Sequence, residues 1–255
     1  MIRRLWYALL VALQFLTRIP VGDVPQSAFA KNSMRVSLAM FPYVGGIVGL
    51  AGATAFDLAR ALSFPSPICA VLTVGTTALL TGALHEDGLA DTFDALGTYR
   101  QEDALRVMRD SRIGTFGSIA LWTTLSLKAI ALATMPESLV LPALVTAHAL
   151  SRLSSLPLAL CLPYLRDDKG AGSNIASIVD RYTASVSCTA SFLTLFGLFP
   201  YTPEILSIMA ASLTTIVSGW FFKKRFSGIT GDCLGAANQV VEVVVLVLWC
   251  RARTY

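Results

Sequence analysis

The 255 residues are 55% apolar and only 14% charged, with a mean hydropathy of +0.64, whereas a soluble domain carries about 25% charged residues. That excludes an ordinary soluble enzyme and leaves no room for a soluble domain of typical size. The formal charge of +4 does not point to nucleic acid; in so apolar a chain it reads as the positive-inside bias of a multi-pass membrane protein.

The five cysteines, Cys69, Cys161, Cys188, Cys233 and Cys250, are scattered with no C-x-x-C pair, so neither a disulfide framework nor a zinc site is indicated. The first sixteen residues have a basic start and an apolar body. No small-x-small cleavage site follows, so they are expected to be retained. The expected architecture is all-α, a single membrane-embedded catalytic domain over residues 1–255. It comprises an interfacial helix and loop (1–33), then a bundle of about seven transmembrane helices (34–249).

In chain order, residues 5–16 are too short to span upright, and Arg3, Arg4 and Arg18 flank them, which predicts a helix lying in the membrane surface. Pro20, Gly22 and Pro25 break the following loop. The first span is predicted over residues 34–62, where Pro42 can bend the helix and Gly45, Gly49 and Ala53 recur at four-residue spacing. Such a face admits close helix packing and permits a homodimer. The second span starts near Ile68 and continues into an acidic stretch. The others are expected over 113–134, 139–163, 182–199, 205–222 and 233–249.

The turns at 63–67, 135–138 and 200–204 contain no Lys or Arg, while every alternate connection is basic. A cytoplasmic N-terminus satisfies this pattern, with Arg251 and Arg253 in the tail as its exception. The acidic stretch and all three polar loops then share the cytoplasmic side.

The acidic stretch, residues 81–97, reads T-G-A-L-H-E-D-G-L-A-D-T-F-D-A-L-G. It holds Glu86, Asp87, Asp91 and Asp94, four of the 16 acids. On one helix Asp87, Asp91 and Asp94 fall within roughly 60° of each other, with Glu86 to the side. Like charges so spaced repel, and oxygen-only ligands suit a hard divalent ion such as Mg2+. A solvated helix end is the bland alternative.

Residues 109–117, R-D-S-R-I-G-T-F-G, open the third span. Its free N–H groups near Gly114, with Arg109 and Arg112, suit phosphate oxygens; membrane anchoring is the alternative for the arginines. Lys169, Gly170 and Gly172 lie in K-G-A-G-S-N, an anion nest or a plain flexible loop. Asp232, in G-I-T-G-D-C-L-G, is either an N-cap or a further metal or substrate contact. His85 is a phosphate donor or an interface marker, and His148 and Arg152, one turn apart within a span, are placed to line the site from behind. Acids for a divalent cation beside arginines and glycine loops suggest metal-assisted phosphoryl transfer, in which a spare carboxylate takes the proton of the attacking hydroxyl. Asp91 and Asp94 are the candidates for that base. A cation-coupled transporter using the acids as an ion site is the rival reading, and a non-catalytic assembly partner a second. Against the transporter, the acids lie at a membrane edge and no internal repeat is visible.

Five blocks carry a family resemblance. They are F-L-T-R-I-P (15–20), F-P-Y-V-G (41–45), H-E-D-G-L-A-D-T-F-D-A-L-G (85–97), R-D-S-R-I-G-T-F-G (109–117) and G-I-T-G-D-C-L-G-A (228–236). The chain resembles the cobalamin synthase family, the adenosylcobinamide-GDP ribazoletransferases. The resemblance implies an integral enzyme of the bacterial or archaeal cytoplasmic membrane. It implies that adenosylcobinamide-GDP is joined to α-ribazole or its 5′-phosphate, with release of GMP and a requirement for Mg2+. The chemistry is similar to that of CDP-alcohol phosphotransferases. Their aspartate motif, however, is met only at Asp87-Gly88, so their aspartate roles are not carried over.

Overall fold

The computed structural model describes residues 2–110, 112–165, 178–198 and 202–251. Among these, eleven α-helices form: α1 (Ile2–Leu16), α2 (Lys31–Ala39), α3 (Phe41–Ala61), α4 (Ser66–Thr81), α5 (Leu84–Asp94), α6 (Gln101–Val107), α7 (Thr115–Thr134), α8 (Glu137–Cys161), α9 (Arg181–Leu198), α10 (Thr202–Phe226) and α11 (Gly231–Cys250). The all-helical class is as expected. The only extended pairing among the described residues is one bridge, Tyr164 to Ile229.

Five of these helices, α3, α7, α8, α10 and α11, are long and apolar enough to cross a membrane, and a sixth span is added if α4 and α5 count as one bent unit. About seven were expected. The shortfall lies at α9, whose 18 residues include six serines and threonines and are not among the five.

Helix α8 is the axis: 83% of its apolar window is buried, against 28% in α7 and 22% in α10. The latter two turn apolar side chains outward, Trp122 and Ile130 from α7 and Leu213, Ile216 and Trp220 from α10. Faces so apolar suit a lipid surrounding. Gly45 and Gly49 of α3 lie flat on α8. A Cβ at Gly45 would stand 2.1 Å from the His148 carbonyl oxygen, and one at Gly49 2.5 Å from that of Leu144. The glycine stripe thus serves packing inside the chain, and α8 occupies the face that was read as permitting a homodimer.

Two predicted spans are broken. Residues 34–62 form α2 and α3, separated at Met40, because Pro42 falls in the first turn of a new helix instead of bending a continuous one. The acidic stretch does not continue the apolar helix either. α4 stops at Gly82 (φ 64°) and Ala83 (φ 54°), and the helix through the acids leaves at 92° to it. The Ala83 and Gly82 N–H groups close the end of α4 on the carbonyls of Ala78 and Leu79. The backbone N–H of Arg18, following α1, caps Leu80 at 2.8 Å, and its side chain lies against Gly82. The first helix therefore braces the elbow from which the acids project.

Candidate active site

Helix α5 carries the acids as the sequence suggests, but their surroundings divide them. Asp87 is exposed, Asp91 and Asp94 are half-buried, and Glu86 is buried at 9% exposure. Gly88 explains the placement of this helix: a Cβ there would stand 2.9 Å from the carbonyl oxygen of Asp232. Only a glycine lets the first turn of α11 come so near, and the contact sets Asp232 beside the turn that carries Asp87 and Asp91.

Asp94 reaches the start of α7. Its Oδ2 accepts the Gly114 N–H at 2.7 Å and its Oδ1 the Gly117 N–H at 2.8 Å. The anion-binding helix start expected at Gly114 therefore holds a carboxylate of the chain itself. The glycines are required for this. A Cβ on Gly114 would meet Asp94 Oδ1 at 2.4 Å, and one on Gly117 would meet Oδ2 at 2.5 Å. The G-T-F-G spacing is thus the complement of Asp94. A second clamp holds the far end of the acidic helix. Arg225 Nη2, from α10, donates to the carbonyls of Ala95 (3.2 Å) and Thr98 and to Thr98 Oγ1 (3.2 Å).

Arg109 and Arg112 are exposed in the link between α6 and α7. Arg112 is engaged by Asp110, with Nε 2.9 Å from Oδ1 and Nη2 2.5 Å from Oδ2. Hydrogen bonds from the Arg112 side chain hold the Asp110 carboxyl down at about 2. Arg112 keeps three N–H groups beyond this pair for an anion.

Asp232 is not the N-cap of α11. That role falls to Thr230, whose Oγ1 accepts the Cys233 N–H at 3.3 Å. Thr230 also donates to Asp232 Oδ2 at 3.3 Å. The segment before it is held to the end of α8, the Ile229 N–H donating to the Pro163 carbonyl and Leu165 N–H to that of Ile229, each at 2.9 Å. Lys169, Gly170 and Gly172 lie outside the described residues.

Among the described residues no group of three or more His, Cys, Asp or Glu side chains is gathered as a ready metal cage. Of the four acids expected to bind one, Glu86 faces Lys128 and Asp94 is spent on α7. Asp87 and Asp91 on α5, and Asp232 on the first turn of α11 that meets Gly88, carry oxygen donors of the right kind. Mg2+ is usually held by about one or two carboxylates plus substrate phosphates rather than by an all-protein cage, so this donor set fits it.

Residues 8–250 match the family model of cobalamin-5-phosphate synthase. The chain belongs to that family. A relative from Ralstonia nicotianae is 40% identical over 250 residues, covering 96% of this chain and 93% of its own. One from Bradyrhizobium diazoefficiens is 35% identical over 249 residues, covering 97% and 94%. One from Shewanella frigidimarina is 37% identical over 238 residues, covering 91% and 90%. Each is named adenosylcobinamide-GDP ribazoletransferase. No solved structure matches. The transporter reading draws no support from these relatives. The protein is a transferase of cobalamin synthesis, as the resemblance implies.

Within this synthase, several residues behind the acids escape a motif-based reading. Lys128 of α7 and Gln239 and Glu242 of α11 are buried together with His148 and Arg152 of α8. The signal was present, since a lysine and a glutamate each interrupt an apolar span. Arg225, in the basic run K-K-R-F, likewise reads as surface charge until its partners are seen.

Proposed function

We propose that the protein is a Mg2+-dependent adenosylcobinamide-GDP ribazoletransferase. It joins adenosylcobinamide-GDP to α-ribazole or its 5′-phosphate and releases GMP. The observation that carries this reading is the meeting of α5 with the first turn of α11 at Gly88 and Asp232, beside an α7 start flanked by arginines. The acidic helix and the arginine-bearing link before α7 thus lie at one end of the bundle. The names of the relatives supply the reaction.

Asp87 and Asp91, with Asp232, would hold the cation. Bound there, Mg2+ would neutralise charge on the phosphate oxygens during transfer. Arg109 and Arg112 hold the diphosphate from the α7 side, with Lys169, Gly170 and Gly172 assigned to the same anion. The ribazole 3′-hydroxyl oxygen forms a bond to the phosphorus that bears the aminopropanol arm. The bond from that phosphorus to the bridging oxygen of the GMP portion breaks. GMP leaves with the electron pair, and Asp91 takes the hydroxyl proton. Asp94 orders the site by docking α5 on α7. With α9 counted as a span, the positive-inside pattern supports an active site on the cytoplasmic face of the bacterial or archaeal membrane.

The test is incubation of the full-length purified chain, in lipid nanodiscs, with adenosylcobinamide-GDP and α-ribazole 5′-phosphate. GMP and the phosphorylated cobalamin are expected in equal amounts with Mg2+ present and neither after chelation. A thermally cooperative sample that releases no GMP overturns the proposal.

A further inference from the structure

Four helices bring charge together in the middle of the bundle. Glu242 of α11, 1% exposed, has Oε1 2.6 Å from Lys128 Nζ of α7. Its Oε2 lies 2.6 Å from Arg152 Nη1 and 3.0 Å from His148 Nδ1, both on α8. Lys128 Nζ also donates to Gln239 Oε1 at 2.5 Å, and it stands 3.9 Å from Glu86 Oε1 on α5. Lys128 and Arg152 bring two positive charges, and Glu242 alone brings one negative. A surplus charge buried in a bundle surrounded by lipid is costly. Glu86 balances it through Oε1, which stands within ion-pair distance of Lys128 on the interior side of α5, while its buried Oε2 has no hydrogen-bond partner among the described residues.

Two further observations agree. Glu86 is buried while Asp87, its neighbour about 100° around the helix, is exposed, so the two carboxylates face different surroundings. His85, also buried, packs its backbone against Gly235 of α11, which seats the start of α5 on the helix that carries Glu242.

We infer that Lys128 is a positioning residue. Through Glu86 it anchors the first turn of α5 to a neutral buried quartet, Glu86, Lys128, Arg152 and Glu242, and Glu86 is not a metal ligand. The inference rests on the reading that Asp87 and Asp91 hold Mg2+. It corrects the grouping of all four acids of the stretch around one cation.

The test uses the full-length chain in nanodiscs with three readouts: Mg2+ binding by calorimetry, thermal unfolding, and GMP release. Asp87→Asn and Asp91→Asn are expected to weaken Mg2+ binding by about tenfold or more, while Glu86→Gln leaves it within roughly twofold. Lys128→Met lowers both Tm and kcat, with KM for either substrate within about threefold, as expected where only the placement of catalytic groups suffers. The double variant Glu86→Gln with Lys128→Met is neutral again, and it regains Tm relative to Lys128→Met alone while kcat stays low, because the anchor is missing from both. It also serves as the variant that folds if Lys128→Met does not. The inference fails if Glu86→Gln weakens Mg2+ as much as Asp87→Asn does. It also fails if the double variant shows the summed Tm losses of the two single ones. If Asp87→Asn and Asp91→Asn bind Mg2+ normally, the metal reading falls instead, and the Tm recovery of the double variant still decides the role of Lys128.

Discussion

Replacing Asp94 by asparagine tests whether this acid docks a helix or handles a proton. The aspartate accepts two backbone N–H groups at the start of α7, at 2.7 and 2.8 Å. Asparagine keeps one acceptor oxygen and turns an NH2 group toward the other donor, so one bond is lost and one N–H is left facing hydrogen. A hydrogen bond to a charged group contributes about 1.5–3 kcal/mol, and the side chain is only half-buried, which favours the lower end. Loss of the negative charge at a helix start adds about 0.5 kcal/mol. The total is roughly 2–3 kcal/mol, or a fall in Tm of roughly 5–10 °C for a chain of this size. The assay is thermal unfolding in nanodiscs alongside GMP release, with Asp91→Asn as the comparison. Asp94→Asn is expected to lose stability and activity together, whereas Asp91→Asn loses activity with Tm little changed. An Asp94→Asn protein with the parent Tm and no activity refutes the docking role and makes Asp94 the better candidate for the base.

Ala83 sits at φ 54°, where a Cβ costs about 1–2 kcal/mol, so Ala83→Gly is expected to raise Tm by a few degrees; no rise shows that the elbow between α4 and α5 is not strained there. Gly49→Val pushes a side chain into the α8 backbone, where even a Cβ would lie 2.5 Å from the Leu144 carbonyl oxygen. It should cost at least about 1–3 kcal/mol in thermal unfolding, and a neutral result would dissolve the α3–α8 contact. The Asp110 carboxyl, held at about 2 by Arg112, lies below its ordinary 3.8. The pair therefore stays closed above about pH 4 and opens only as pH falls toward 2. In the neutral range Asp110→Asn should act through KM for the GDP-bearing substrate, with no change in pH profile between 6 and 8; a shifted profile there refutes it.

Much of this protein is written locally. Apolar runs without charge predict helices in lipid, and α7, α8, α10 and α11 begin and end within about four residues of their expected bounds because polar or proline-rich breaks delimit them. The acids of the 84–94 helix and the arginines before Gly114 were visible as types at a spacing, and family resemblance named the reaction. What each acid does was not visible. A helical wheel places Asp87, Asp91 and Asp94 on one face but does not say which neighbour that face meets. Asp94 is spent on N–H groups twenty and twenty-three residues away, and Glu86 is buried on the side of a lysine in another helix. The right-angled elbow was hidden for the same reason. Gly82 and Ala83 look like mild interruptions of a helix, and only their left-handed backbone, with Arg18 against it, turns them into a corner. Charge type and period are properties of a segment, so the sequence by itself determined the bundle and the candidate acids. Charge balance and close approach belong to pairs of segments, so only the tertiary structure decided that Asp94 meets the start of α7 and that Glu86 is buried on the side of Lys128.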